Sequence, residues 1–189
     1  MQINRNLLIK YWILLLISLL VCGCAKVHNT IPIKNHERSE EIVALLLAFD
    51  EREKLYNNGF LNREQNTTLE LNGYIIINSD KFQKINELQK YYYDVCTENF
   101  CNNRFLFTGA TPRWKEINGK ICQSMADGIW IPITKESLLY STISSVENNI
   151  FVVRVPFTNH LDNSSYYVDY TLVETDIGLR VDNCHTVVD

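Results

Sequence analysis

Glycine is scarce in this chain, seven in 189 residues, and none cluster into the loop that cradles a phosphate. That removes the nucleotide-binding classes that announce themselves by such a loop. Positive charge is short as well: 18 Lys and Arg stand against 22 Asp and Glu, a net charge of −4. Such a balance offers no footing for nucleic acid or for an anionic lipid surface. The apolar stretch at 11–21 falls short of the about 20 residues a bilayer core requires. No segment repeats another. No glycine-bounded hydrolase elbow occurs either; the nearest nucleophile segment is Cys122-Gln123-Ser124.

What the amino terminus does have is an export pattern. Arg5 and Lys10 flank the apolar stretch and no acid precedes it, as in a secretory signal. It ends in Val21-Cys22-Gly23-Cys24, with the small Gly23 directly before Cys24. This tetrad resembles the lipobox of bacterial lipoproteins. The resemblance implies that residues 1–23 are a signal peptide, that the Cys24 thiol is acylated, and that cleavage leaves Cys24 as the first residue. Cys22 is the poorer attachment site, because Val21 would then stand where a small residue is wanted. The expected partner is a lipid bilayer, held through acylated Cys24, where two or more acyl chains make a stable anchor. The expected location is the cell envelope. Ala25 and Lys26 follow with no aspartate, which in a Gram-negative host resembles lipoproteins of the outer membrane facing the periplasm.

Residues 24–189, 166 in all, suffice for one domain with a real core. Losing Arg5 and Lys10 takes the net charge from −4 to −6. Segment 24–38 mixes polar residues with Pro32, His28 and His36 and has no apolar period, so it is expected to be a flexible stalk with solvated histidines. The domain then covers 39–189. Its cysteines are Cys96, Cys101, Cys122 and Cys184. Four in an exported domain suggest two disulfides, in any of three pairings. Zinc is the weaker alternative, since only Cys96 and Cys101 are close and structural zinc sites use tighter pairs. No metal or other cofactor is expected. The favoured bridges are Cys96–Cys101, across a helix end and its exit loop, and Cys122–Cys184, between strands distant in sequence. Each would contribute about 2–4 kcal/mol. Paired cysteines leave no free thiol beside His160 or His185, and no catalytic residue is assigned: the chain is read as a non-enzyme.

Along the domain, Ser39 is a good N-cap, with Glu40 and Glu41 favoured by the helix dipole. Ile42, Leu45, Leu46, Phe49 and Tyr56 recur at helical spacing until Asn57-Asn58-Gly59. A strand is expected over 74–77, then a helix from Ser79 or Asp80 with Phe82, Ile85, Leu88, Tyr92 and Cys96 on one face. Of Tyr91-Tyr92-Tyr93, Tyr92 belongs to the core and its neighbours to the rim. After Cys101 the pattern predicts strands: a short one over 104–108, a hairpin over 114–122 turning at Asn118-Gly119, and one over 129–133 after Asp127-Gly128. Pro132 marks that strand as an edge. Further strands are expected over 140–146, 150–157, 165–174 and 179–184. Phe151, Val153, Val155 and Phe157 should share one face, and Val168, Tyr170 and Leu172 another. Helices followed by strands make an α+β fold, N-terminal helices packed on one face of a curved antiparallel sheet.

This order of elements, with Pro112-Arg113-Trp114-Lys115-Glu116-Ile117-Asn118-Gly119-Lys120, Ala126-Asp127-Gly128 and the closing Tyr167-Val168-Asp169-Tyr170-Thr171-Leu172-Val173 and Gly178-Leu179-Arg180-Val181-Asp182, resembles the exported domains related to the IseA inhibitors. The closing strands are similar to NTF2-like domains generally, a layout shared with cystatin-like folds. The likeness covers roughly residues 40–183. It implies an inhibitor of DL-endopeptidases, cysteine hydrolases of the peptidoglycan stem peptide, with a cell-wall hydrolase as the envelope partner. No motif carries protease-contacting residues across.

Three readings follow: a tethered binding or inhibitor module acting on an envelope protein, a small-molecule-binding NTF2-like domain, and a structural part of an envelope assembly. The first is preferred. A pocket lined by Trp114, Trp130 and tyrosines would favour the second, and an exposed apolar patch beside an edge strand the first or third. The anchor itself is testable. Cys24→Ala is expected to abolish palmitate incorporation and cleavage after Gly23 in radiolabelled cells, and wild-type labelling of that variant would refute the lipidation site.

Overall fold

The first element of the fold lies inside the expected stalk. Ile31–Pro32 form a short strand, β1, and Ile33–Asn35 a 3₁₀ turn that buries Ile33 to 2 % exposure. The Ile33 N–H donates to the Ser141 carbonyl at 3.0 Å. The His36 ring packs edge-on against Phe151, with centroids 5.6 Å apart. A buried β-branched side chain and a satisfied backbone donor outweigh the polar composition of this segment, which corrects the stalk reading from Ile31 onward. The computed structural model describes residues 30–58, 70–71, 74–77, 79, 81–105, 107–108, 112–124, 130–147, 149–159 and 163–187. The signal peptide, Cys24, the Asp127-Gly128 turn and His160 lie outside them.

Helix α1 (Ser39–Asn58) opens with Glu40 and Glu41 in its first turn, with Ser39 as its first residue rather than its cap. Strands β2 (Glu70–Leu71) and β3 (Tyr74–Ile76) follow, then helices α2 (Ile85–Tyr93) and α3 (Glu98–Arg104). The hairpin is present: β4 (Trp114–Ile117) turns through Asn118 and Gly119, both at positive φ, into β5 (Lys120–Ser124). Asn-Gly tolerates that geometry at both positions. Helix α4 (Lys135–Leu139) leads to β6 (Thr142–Glu147), β7 (Ile150–Thr158), β8 (Ser165–Thr175) and β9 (Gly178–Val187).

The fold is α+β, with two antiparallel sheets rather than one. Five strands run in the order β1-β6-β7-β8-β9 and four in the order β2-β3-β5-β4. Register shifts at Ser145/Glu147 and Thr171/Leu172 mark bulges in the larger sheet, which bend and twist strands. Phe151, Val153, Val155 and Phe157 are all buried, as the period-two pattern predicts. So are Tyr170 and Leu172, while Val168 is half-buried. They meet Ile42, Leu45, Leu46 and Phe49 of α1 in one core that also takes in Tyr92, Phe105, Trp114 and Ile121.

Two expected strands are absent among the described residues. Arg104 ends a helix, α3, whose Thr97 hydroxyl caps the Phe100 N–H at 3.4 Å and whose exit residue Phe105 is fully buried. Around Pro132 no strand forms among the described residues, because the Ile133 N–H donates to a carboxylate oxygen of Asp50 at 3.0 Å instead of to a neighbouring strand. The second helix also starts later than Ser79, whose hydroxyl accepts from the Lys81 and Phe82 N–H groups and holds a turn.

The place of 31–38 in the fold can be measured. Ile33→Ala is expected to lower unfolding stability by about 2–5 kcal/mol, as for other buried large-to-small changes, read from urea denaturation. A loss below about 0.5 kcal/mol, the range of surface substitutions, would restore the stalk.

Candidate functional site

The inward stripe of α1 changes character halfway along. Ile42, Leu45, Leu46 and Phe49 are hydrocarbon, but Arg52 and Glu53 one turn later are charged and only 8 % exposed each. Arg52 is held by the Ala48 carbonyl at 2.9 Å and the Tyr91 carbonyl at 3.2 Å, with its guanidinium 3.7 Å from the Tyr91 ring centroid. Glu53 takes both oxygens to Arg104 of α3, at 2.8 and 3.0 Å. On the same helix Asp50 accepts through Oδ1 from the Trp130 indole N–H at 3.1 Å and from the Ile133 N–H at 3.0 Å.

These side chains border a cavity of about 300 Å³ between α1 and the larger sheet. Phe49, Asp50, Glu53 and Asn57 line it from α1, Arg104 from α3, and Trp130 and Ile131 from the segment before α4. The sheet supplies Phe157, Tyr166, Val168, Tyr170, Cys184 and His185, with Phe157 and Tyr166 stacked 5.6 Å apart. Removal from water holds the Asp50 carboxyl above its ordinary value, and the neighbouring Glu53 adds to this. The two N–H donors and Lys54 act the other way. Burial drives the Tyr170 hydroxyl well above its usual range and the Cys184 thiol up to about 11, the latter opposed by Arg104. At neutral pH, Tyr170 is therefore a neutral hydroxyl and Cys184 a thiol rather than a thiolate nucleophile. His185 lies at the rim, with its Nε2 4.0 Å from Asp169, which is itself paired with Arg154 at 2.7 Å. The arrangement can accept and donate hydrogen bonds to a guest between aromatic faces.

The residues singled out from the sequence scatter. Cys96, Cys101, Cys122 and Cys184 are free thiols, where two disulfides were expected. Cys96 and Cys101 do lie side by side, their thiols hydrogen-bonded, and burial raises the Cys96 thiol. Cys122 and Cys184 sit on different sheets, Cys122 on β5 beside Lys115 and Lys120, Cys184 on β9 beside Arg104 and Glu53. Burial raises the Cys122 thiol as well. Trp114 is in the core at 1 % exposure, and only Trp130 of the expected tryptophan pair reaches the cavity. Tyr92 is fully buried with half-buried neighbours, as expected of core and rim. Among the described residues no three His, Cys, Asp or Glu side chains converge to hold a metal ion, and no helix is long and apolar enough to cross a membrane.

Asp50, Glu53, Arg104 and Tyr166 carry no expectation of a site from the sequence, and Tyr170 only that of an inward-facing strand residue. One signal was present: the apolar period of α1 runs from Phe49 to Tyr56 with a charged pair in the gap, at Arg52-Glu53. No protein-family model matches the chain, and no curated protein matches it.

The raised Asp50 value carries a sign. A carboxyl whose folded-state pKa exceeds its unfolded value favours folding fully below the unfolded value, 3.8, and that contribution is lost as pH rises through the folded value. Ionised Asp50 is thus a net cost at neutral pH. Asp50→Asn keeps an oxygen for Trp130 and Ile133, so it is expected to melt above wild type at about pH 7 and alongside it at about pH 3. Calorimetry at both values checks this; a lower melting temperature at neutral pH would reverse the sign.

Proposed function

We propose that this chain is an exported, lipid-anchored domain that works by binding rather than by catalysis, and that its ligand is a small molecule held between α1 and the larger sheet. The cavity carries the reading. Trp130, Tyr166 and Tyr170 supply aromatic wall while Asp50 supplies one convergent polar group with a perturbed pKa, the combination that marks ligand sites. An NTF2-like layout, in which helices and a curved sheet enclose a pocket, accommodates the same observation. The tether is the acyl group proposed at Cys24, which places the domain on an envelope membrane and raises its effective concentration toward anything else on that surface.

One further observation favours a protein partner. Leu139 and Tyr140, 62 and 72 % exposed, end α4 just before β6, and Ile31, 36 % exposed, lies on the strand that caps β6. Exposed apolar side chains on and before an edge strand suit docking. The IseA-like resemblance supplies a cell-wall hydrolase as the partner to test.

The two readings separate in one pair of experiments. The full chain in nonionic detergent is screened by thermal shift against a library of small organic molecules, beside Val168→Phe, which fills the cavity. Hits that stabilise the wild type and not the filled variant are expected, and a silent screen removes the small-molecule reading. In parallel, DL-endopeptidases of the same host are assayed for muropeptide release with the chain in excess. Inhibition lost in Leu139→Ser/Tyr140→Ser supports the second reading, and full release with no binding ends it.

A further inference from the structure

Resting on the reading of the cavity as a ligand site, we infer that it selects a small organic cation, an aryl-alkyl ammonium whose N–H groups meet Asp50 and Tyr170 and whose ring lies against Trp130. Charge makes the first argument. Two carboxylates border the cavity, and Glu53 is spent on Arg104 in a two-point pair. Asp50 uses Oδ1 for both of its N–H donors, while its Oδ2 accepts nothing from the described residues. Among the described lining residues the guest therefore meets one carboxylate oxygen in need of a donor, while the Arg104 guanidinium is already taken by Glu53. An anion would face Asp50 unpaired, and a neutral hydrocarbon would strip the carboxylate of water without replacing it.

Trp130 makes the second. Its N–H points at the Asp50 carboxylate, which leaves the indole face electron-rich, and tryptophan is the best of the aromatic faces for a cation. The protein's own Lys54 ammonium already stands over this ring, 5.4 Å from its centroid. That side chain is exposed to solvent, where water and salt screen its repulsion of a second cation. The third is Tyr170, 6 % exposed and lining the cavity, with no hydrogen bond to its hydroxyl among the described residues. A neutral hydroxyl there offers an ammonium a further acceptor. The size agrees: about 300 Å³ is the lower end of the range for small-molecule sites.

Phenethylamine, 2-phenylethanol and 3-phenylpropanoate carry the same ring on short chains with a cation, a neutral hydroxyl and an anion. Titration calorimetry on the full chain in nonionic detergent at neutral pH is expected to rank phenethylamine first by about tenfold or more, the worth of one charge-assisted hydrogen bond. In Asp50→Asn the preference for phenethylamine over 2-phenylethanol should vanish. Trp130→Ala, at a partly exposed position, should weaken phenethylamine more than the alcohol and serves if the first variant does not fold. Equal binding of the three in wild type, or a preference that survives in Asp50→Asn, overturns the cation. If the alcohol or acid binds and is lost in Val168→Phe, the cavity stands as a ligand site and only its selectivity falls. If none of the three binds, the inference fails, and a silent library screen beside it removes the cavity reading as well.

Discussion

Everything in the domain is referred to the seat of α1 on the larger sheet, and Phe49 is the junction. Its ring touches Phe100 at 6.1 Å, Phe105 at 5.9 Å and Tyr170 at 5.9 Å between centroids. One side chain thus joins α1, α3 and β8. A helix advances about 100° per residue, so fixing Phe49 inward fixes where Asp50, Glu53 and Asn57 must face. The polar side of the cavity is a geometric consequence of a hydrophobic contact.

Magnitudes separate what makes this contact from what reinforces it. Burying a side chain such as Ile42, Leu46 or Phe49 stabilises by about 1.5–3 kcal/mol, and these three are all but fully buried. The ion pairs of α1 are of another order. Arg38 reaches Glu41 and Glu174 at one end, all partly exposed, where such pairs contribute about 0–1 kcal/mol. Glu53 and Arg104 at the other end are more sheltered on the acid's side, with side chains 11 % and 44 % exposed respectively. Desolvation consumes much of what such a pair gains, whereas removing one partner leaves a costly buried charge. Hydrocarbon decides that α1 docks and which face it turns inward, and the ion pairs at its two ends only reinforce that rotation about its own axis. The cavity wall depends on that rotation.

This division also explains what could be read in advance. Strands β7, β8 and β9 follow from alternation, α1 from its period, and the hairpin from Asn118-Gly119, because each signal is local. Helix α3 carries no period in Glu98-Asn99-Phe100-Cys101-Asn102-Asn103-Arg104. It exists because Thr97 caps it and Cys101 and Phe105 find the core, a tertiary cause. Strand β1 is two residues with a proline in it, below any pattern, and is held by the Ile33–Ser141 bond beyond its end. The cavity is less legible still. Its polar groups come from positions 50, 53, 104, 170 and 185, on four elements, and only the charged gap in the α1 stripe hinted that an inward face was polar.

The space itself is the strongest argument that the cavity has an occupant. Protein interiors pack to near crystal density, and a small domain has little apolar surface to forgo. Here Val168 stands half-buried where a larger side chain would close the gap. Asp50 stands beside it, its carboxyl held above its ordinary value by loss of water. Each departure lowers stability, and each could be removed by one substitution. A chain that spends packing and solvation at the same place, against the same aromatic wall, has the mark of a site where stability yields to recognition. Were the space only a packing fault, apolar lining would serve it better than a carboxylate oxygen and a hydroxyl that have no partner among the described residues.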